Sequence, residues 1–143
     1  MRELVLNVMC ALILGVMCAV TWYVEMFTDG RVATMWRRMN GKGRIGKNFA
    51  AVGSPALTCM CFLAVPLFTL DGYAPGWFMF GLACLMMLCL VTFLVSLLPI
   101  KFPKQVYAEW QYAKRHGLLD EKGNIDREAW ERHEAEKKDD PIW

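Results

Sequence analysis

The sequence predicts an all-α membrane protein with three transmembrane helices, a short interfacial amphipathic helix and a helical, charged C-terminal tail. The chain has 143 residues, of which 56% are apolar and 21% charged. The charges are unevenly distributed: 23 consecutive uncharged residues separate Lys47 from Asp71, and 29 separate Asp71 from Lys101. Because a helix crosses the hydrocarbon core of a bilayer in ~20 residues, both stretches are long enough to span. This pattern argues against a soluble single domain.

The first apolar segment predicts a transmembrane helix at about residues 4–24, interrupted only by Asn7 and Thr21. A cleavable signal peptide is the alternative, but no A-x-A cleavage site follows the apolar core, so we expect an uncleaved helix. Small or weakly polar residues recur every fourth position and form a stripe that admits another backbone closely. The helix-packing residues predicted here are Asn7, Ala11, Gly15 and Ala19.

The second and third apolar segments predict transmembrane helices at about residues 49–70 and 77–98. The second contains Pro55 and Pro66, which membrane helices tolerate because neighbouring groups satisfy the freed carbonyls. On the third, the predicted helix-packing residues are Gly81, Thr92 and Ser96. The chain therefore divides into a membrane domain at 1–100 and an inner-side tail at 101–143.

The loop at residues 28–48 carries a cluster of basic residues that predicts the orientation of the chain. The turn between the second and third segments, at 71–76, has no basic residue, and cytoplasmic loops are enriched in Lys and Arg. We therefore expect the N-terminus outside and the loop and tail on the cytoplasmic or matrix side, in a bacterial plasma membrane or mitochondrial inner membrane. The predicted lipid-facing residues of the loop are Arg31, Trp36, Arg37, Arg38, Lys42, Arg44 and Lys47.

Part of this loop is predicted to form the interfacial helix. The spacing i, i+3, i+4, i+7 is followed by the apolar residues Val32, Met35, Trp36 and Met39. The apolar side of this helix can therefore lie among lipid headgroups, and its arginines can contact anionic lipid. The alternative is that the basic charge only sets topology.

The stretch at 41–48 matches the first seven positions of the P-loop pattern, but the context of a phosphate-binding loop is missing. A membrane segment follows it, and Asn48 stands where Ser or Thr would bind magnesium. The six cysteines all lie in apolar stretches without metal-ligand spacing, and the two histidines lie in the tail, far along the chain from them. We therefore predict no cofactor, no metal site and no enzymatic activity.

The tail predicts two helices, from Lys104 to about His116 and from Asp126 to about Lys138. The second has few apolar residues, so it is expected to lean on another polypeptide. The residues predicted to dock a partner are Trp110, Ile125, Trp130 and Trp143.

These features predict a non-catalytic accessory or assembly subunit of a larger membrane complex, such as an energy-transducing (respiratory chain) or translocation assembly. Its expected partners are other membrane-protein subunits and anionic lipid headgroups, with no nucleic acid and no small-molecule substrate. Two alternatives stay open. The topology resembles that of one group of phage holins, which implies a small pore-forming oligomer, and a small transporter is the other.

Overall fold

The computed structural model describes residues 2–40, 43–70 and 72–139, and within these ranges the chain is helical, without strands. Besides a π-helical turn at Phe49–Gly53 and a 3-10 turn at Lys104–Val106, the helices are α1 (Arg2–Phe27), α2 (Arg31–Asn40), α3 (Arg44–Asn48), α4 (Ser54–Thr69), α5 (Gly76–Ser96), α6 (Ala108–Arg115) and α7 (Arg127–Asp139). Three helical stretches are long and apolar enough to cross a membrane: Arg2–Phe27, Ile45–Thr69 and Gly76–Ser96. The prediction of an all-helical chain with three such helices is confirmed.

Helix α4 packs against both α1 and α5. Glycines bring the backbones close at both contacts. Gly15 of α1 is buried, and a Cβ added there would lie 3.1 Å from the Cβ of Cys61. A Cβ added at Gly53 would collide with the hydroxyl of Ser96, which is fully buried at the end of α5. The second helical stretch is therefore the middle layer of the three.

The π-helical turn precedes Pro55, the second residue of α4. The Ser54 N–H donates to the carbonyl of Phe49, five residues back. Because proline lacks an N–H and its ring clashes with the carbonyl four residues earlier, a widened turn at this point lets the helix continue into α4.

The tail differs from its prediction at its start, because α6 begins at Ala108 and not at Lys104. After the 3-10 turn, Tyr107 takes an extended backbone conformation, with φ −84° and ψ 139°. This conformation breaks the helix and turns the Tyr107 side chain toward the long helices. Helix α7 starts where expected, capped by Asp126, whose carboxylate accepts the N–H groups of Glu128 and Ala129.

The tail has a small hydrophobic core of its own. Tyr112, Ala113 and Leu118 are buried, and the residues packed against them are Leu119, Ile125, Ala129 and Trp130. The chain reverses at Gly117, where φ is +67°, and the Leu118 N–H closes the end of α6 on the Ala113 carbonyl at 2.9 Å. Helix α7 therefore packs on α6 within this chain, and its contact with a second polypeptide stays a prediction.

Candidate functional site: a polar junction beneath the long helices

Polar side chains, some of them buried, fasten the tail to the end of the bundle where α1 ends, the second long helical stretch begins and α5 ends. We call this set the junction: Glu25, Asp29, Arg37, Asn40, Lys47, Asn48, Tyr107, Glu109, Tyr112, Arg115, His116 and His133. It has two parts, one around the end of α1 and one around the end of α5.

Arg37 is the centre of the first part. Its side chain is 8% exposed, and its Nη1 donates to the carbonyls of Glu25 and Thr28, each at 2.9 Å. These carbonyls lie at the C-terminal end of α1, where helical partners run out and a positive charge is favoured by the helix dipole. The guanidinium thus caps α1 and holds α2 against the end of that helix. Burial lowers the pKa of Arg37, although arginine keeps its charge in proteins.

Asp29 joins this cap to the tail. Its carboxylate accepts a hydrogen bond from Arg115 Nη2 at 2.8 Å and lies 3.3 Å from His116 Nε2, while Arg37 Nη2 is 3.8 Å away. Arg115 also donates to the Met26 carbonyl at 2.9 Å. Burial alone would raise the pKa of Asp29, but the hydrogen bonds and charges of Arg115 and His116 outweigh it and hold this pKa below its ordinary value.

Glu25 closes the other side of α2. It is 7% exposed, and both carboxylate oxygens accept hydrogen bonds from Asn40 Nδ2, at 3.0 and 3.1 Å. Helix α2 is therefore tied to α1 both by Arg37 and by Asn40, its last residue.

Tyr112 links the cap to α7. The Arg37 guanidinium lies 4.8 Å from the centre of the Tyr112 ring, above its face. The Tyr112 hydroxyl is 2.9 Å from His133 Nε2. The centres of the His116 and Tyr112 rings are 4.3 Å apart. The two imidazoles are 5.0 Å apart. The chain has two histidines, which are 17 positions apart in the tail. They thus lie side by side, although their spacing in the sequence does not indicate a contact.

Asn48 is the centre of the second part of the junction. It is 1% exposed, and its Nδ2 donates to the carbonyls of Leu98 and Ile100 at 2.9 and 2.8 Å. Its Oδ1 accepts the Tyr107 hydroxyl at 2.8 Å, and that hydroxyl accepts the Phe102 N–H at 3.2 Å. One amide therefore ties together the start of the second long helix, the end of the third and the tail. In the sequence, Asn48 stands out only as a departure from the P-loop pattern, and its role in the junction was not predicted.

Beside Asn48, Lys47 Nζ lies 2.8 Å from Glu109 Oε2, with both side chains about one-third exposed, at 35% and 33%. This ion pair adds a contact between the second long helix and α6. A cavity of about 20 Å³ lies between the two parts of the junction, which is room for about one water molecule. The junction is therefore closely packed.

A groove of about 730 Å³ opens next to the Lys47–Glu109 pair, between α6 and α7. Its apolar lining residues are Tyr107, Trp110, Ile125 and Trp130. Its charged lining residues are Lys47, Lys104, Glu109, Arg127 and Glu131. Three residues predicted to dock a partner thus come together in the groove, while the fourth, Trp143, lies outside the described residues.

The predicted helix-packing residues fall into two groups. Gly15 and Ser96 are buried inside the bundle, and the partly buried members are Ala11, Ala19 and Thr92. Asn7 and Gly81 are exposed, and a Cβ added at Gly81 would meet nothing within 4 Å. Contacts of these last two with a separate helix stay a prediction.

The predicted lipid-facing residues are also divided by the structure. Arg31, Trp36 and Arg38 are exposed, and Lys47 is half-buried in its ion pair. Arg37, in contrast, is buried and donates to backbone carbonyls. The structure places Arg44 in the first turn of α3, and Lys42 lies outside the described residues.

Within the described part of the chain, no three His, Cys, Asp or Glu residues cluster in a way that could hold a metal ion. The charged side chains of the junction bind each other and backbone carbonyls, which fixes the position of the tail relative to the long helices. Comparison with protein-family models, curated proteins and solved structures found no match for this chain.

Proposed function

We propose that the chain is a non-catalytic accessory or assembly subunit of a larger membrane complex, in which the three long helices anchor the tail and the tail engages a partner. One observation carries this proposal: polar bonds fasten the tail to the end of α1, through Arg115, and to Asn48, which also binds the carbonyls just past the end of α5. A tail held in this way keeps one orientation relative to the long helices, as a docking platform needs to do.

The exposed surface of the long helices supports the same proposal. The most apolar window of α5 has no buried residue, and that of α1 is only 6% buried. Each helix packs on one side, against α4, and leaves the remainder for lipid or for helices of other subunits. Gly81, on the open side of α5, is a position where another backbone can approach closely.

We place the N-terminus outside and the junction on the cytoplasmic or matrix side of a bacterial plasma membrane or a mitochondrial inner membrane. The basic residues of the 28–48 loop support this orientation. In this arrangement the exposed apolar residues of α2, Val32, Met35, Trp36 and Met39, lie in the headgroup layer on the side away from buried Arg37.

Cysteine labelling tests the orientation. A cysteine at Tyr73, which is 89% exposed, should react with an impermeant maleimide from outside, and a cysteine at exposed Gly43 should react only after the inner side is opened. The unsubstituted chain gives the background of the native cysteines. Reversed labelling would refute the orientation.

Co-purification tests the function. The tagged full chain, extracted in a mild detergent, should carry other polypeptides in fixed stoichiometry. Arg37→Met, which loosens the tail, should lose them while staying in the membrane fraction, and the exposed neighbour variant Arg38→Met should keep them. A chain that purifies alone as an oligomer and conducts ions in planar bilayers would refute the accessory role in favour of a pore former.

A further inference from the structure

The groove between α6 and α7 has the size and lining of a binding site. Its volume of about 730 Å³ falls within the range of ~300–1,000 Å³ typical of small-molecule sites. Two tryptophans and a tyrosine supply apolar walls, and charged side chains stand among them. None of the junction contacts described above requires this space.

The charge of the groove favours an anion. Lys47 and Glu109 neutralise each other at 2.8 Å. Lys104 is hydrogen-bonded to the amide oxygen of Asn124, and its charge also interacts with Asp120, which lies outside the groove lining. The groove lining itself has three basic residues and two acidic ones, a net charge of +1. The groove therefore holds a net positive charge next to aromatic faces.

The position of the groove favours a lipid over a soluble anion. Lys47 precedes Asn48, whose side chain binds the carbonyls at the end of α5. Lys104 follows the same helix end by a few residues, past exposed Leu98 and Ile100. When the long helices span a bilayer, this end lies at headgroup depth, where Trp, Tyr and Lys side chains are enriched.

We propose that the groove binds the headgroup of an anionic phospholipid, with its phosphate between Lys104 and Arg127 and its glycerol and upper acyl carbons against Trp110 and Trp130. This inference rests on the membrane placement proposed above. The lipid then occupies a defined site in the tail. This site adds to the general electrostatic attraction between anionic lipid and the basic 28–48 loop.

Native mass spectrometry of the full chain, purified in detergent and offered phosphatidylglycerol or phosphatidylcholine, tests the site. The unsubstituted chain should retain phosphatidylglycerol in preference, at about one molecule per chain. The double variant Lys104→Gln/Arg127→Gln should lose this preference by about tenfold. Glu131→Gln, which removes an acid from the groove, should strengthen it.

The matched control is Lys122→Gln/Arg132→Gln, which removes the same charge from exposed tail residues outside the groove lining. Retention of the preference by the control, with loss in the groove variant, supports the site. Equal loss in both would mean general charge attraction and would overturn it, as would displacement of the lipid by millimolar inorganic phosphate or by a co-purified polypeptide.

A second readout separates this inference from the proposed function. Phosphatidylglycerol brominated on its acyl chains should quench the fluorescence of Trp110, measured as the difference between the chain and its Trp110→Phe variant. Carbonate extraction of membranes tests the placement itself. A chain that resists extraction but shows no quenching difference refutes the lipid site alone, whereas a chain released by carbonate refutes the membrane placement.

Discussion

Replacing Arg37 by methionine tests whether the junction holds the tail in place. Methionine is similar in length and apolar, so the substitution preserves most of the buried volume while removing both hydrogen bonds to the carbonyls at the end of α1. It also removes the cation above the Tyr112 ring. The adjacent Arg38 provides a control, because its side chain is 64% exposed and lies 3.6 Å from Glu134, which is 46% exposed.

The size of the effect follows from burial. Hydrogen bonds from a charged donor contribute about 1.5–3 kcal/mol each, and a buried acceptor left without a partner costs about 1–3 kcal/mol. The relief of arginine desolvation offsets part of this loss. We therefore expect Arg37→Met to lower the free energy of opening the junction by about 3 kcal/mol. Arg38→Met should lower it by about 0–1 kcal/mol, as for exposed ion pairs.

Amide hydrogen exchange of α6 in the reconstituted full chain measures this opening directly. A loss of ~3 kcal/mol raises the exchange rate by about two orders of magnitude, since each factor of ten corresponds to about 1.36 kcal/mol. The Arg38 variant should stay within about fivefold of the unsubstituted chain. If the two variants exchange alike, or if Arg37→Met changes the rate by less than about fivefold, the buried cap does not hold the tail.

Three further predictions concern other contacts. Asn48→Leu leaves two part-buried carbonyls without a donor and should weaken the link to α5 by about 1–3 kcal/mol, seen as faster exchange at residues 98–107; unchanged exchange would contradict it. Because the pKa of Asp29 lies below its ordinary value of 3.8, its stabilising contribution is complete above that value and lost as pH falls through the folded-state pKa. A pH titration of α6 protection should therefore show an acid transition that Asp29→Asn flattens, and identical profiles would refute the assignment. Gly53→Ala forces a methyl group into Ser96 and should lower thermal stability in detergent, whereas Gly81→Ala, at an open position, should not.

The three long helices could be predicted because their determinants are local in the sequence. Bilayer thickness fixes a length, and uncharged stretches of that length are visible without any tertiary information. The predicted ends were less accurate. The first segment is predicted at about 4–24 and runs from Arg2 to Phe27, since the helix includes Glu25 and the apolar Met26 and Phe27 that follow it.

The junction could not be predicted, because its residues are brought together by tertiary contacts. Arg37 and Arg38 are chemically identical neighbours, and only the folding of α2 against α1 decides which is buried. His116 and His133 meet because the chain reverses at Gly117 and again before α7. Asn48 carried no signal at all, since a single amide at the start of an apolar segment has many possible partners.

The division of the junction into two parts bears on how the tail can work. A single attachment, around Arg37 and Asp29, would leave α6 free to pivot about the end of α1. The second attachment, through Asn48 and Tyr107, engages the end of α5 and removes that freedom. A force that a bound partner exerts on the tail is therefore shared between α1 and α5, with α4 packed between them. Since loosening either attachment restores the pivot, Arg37→Met and Asn48→Leu should impair partner retention to a similar extent and, combined, do little more than either alone.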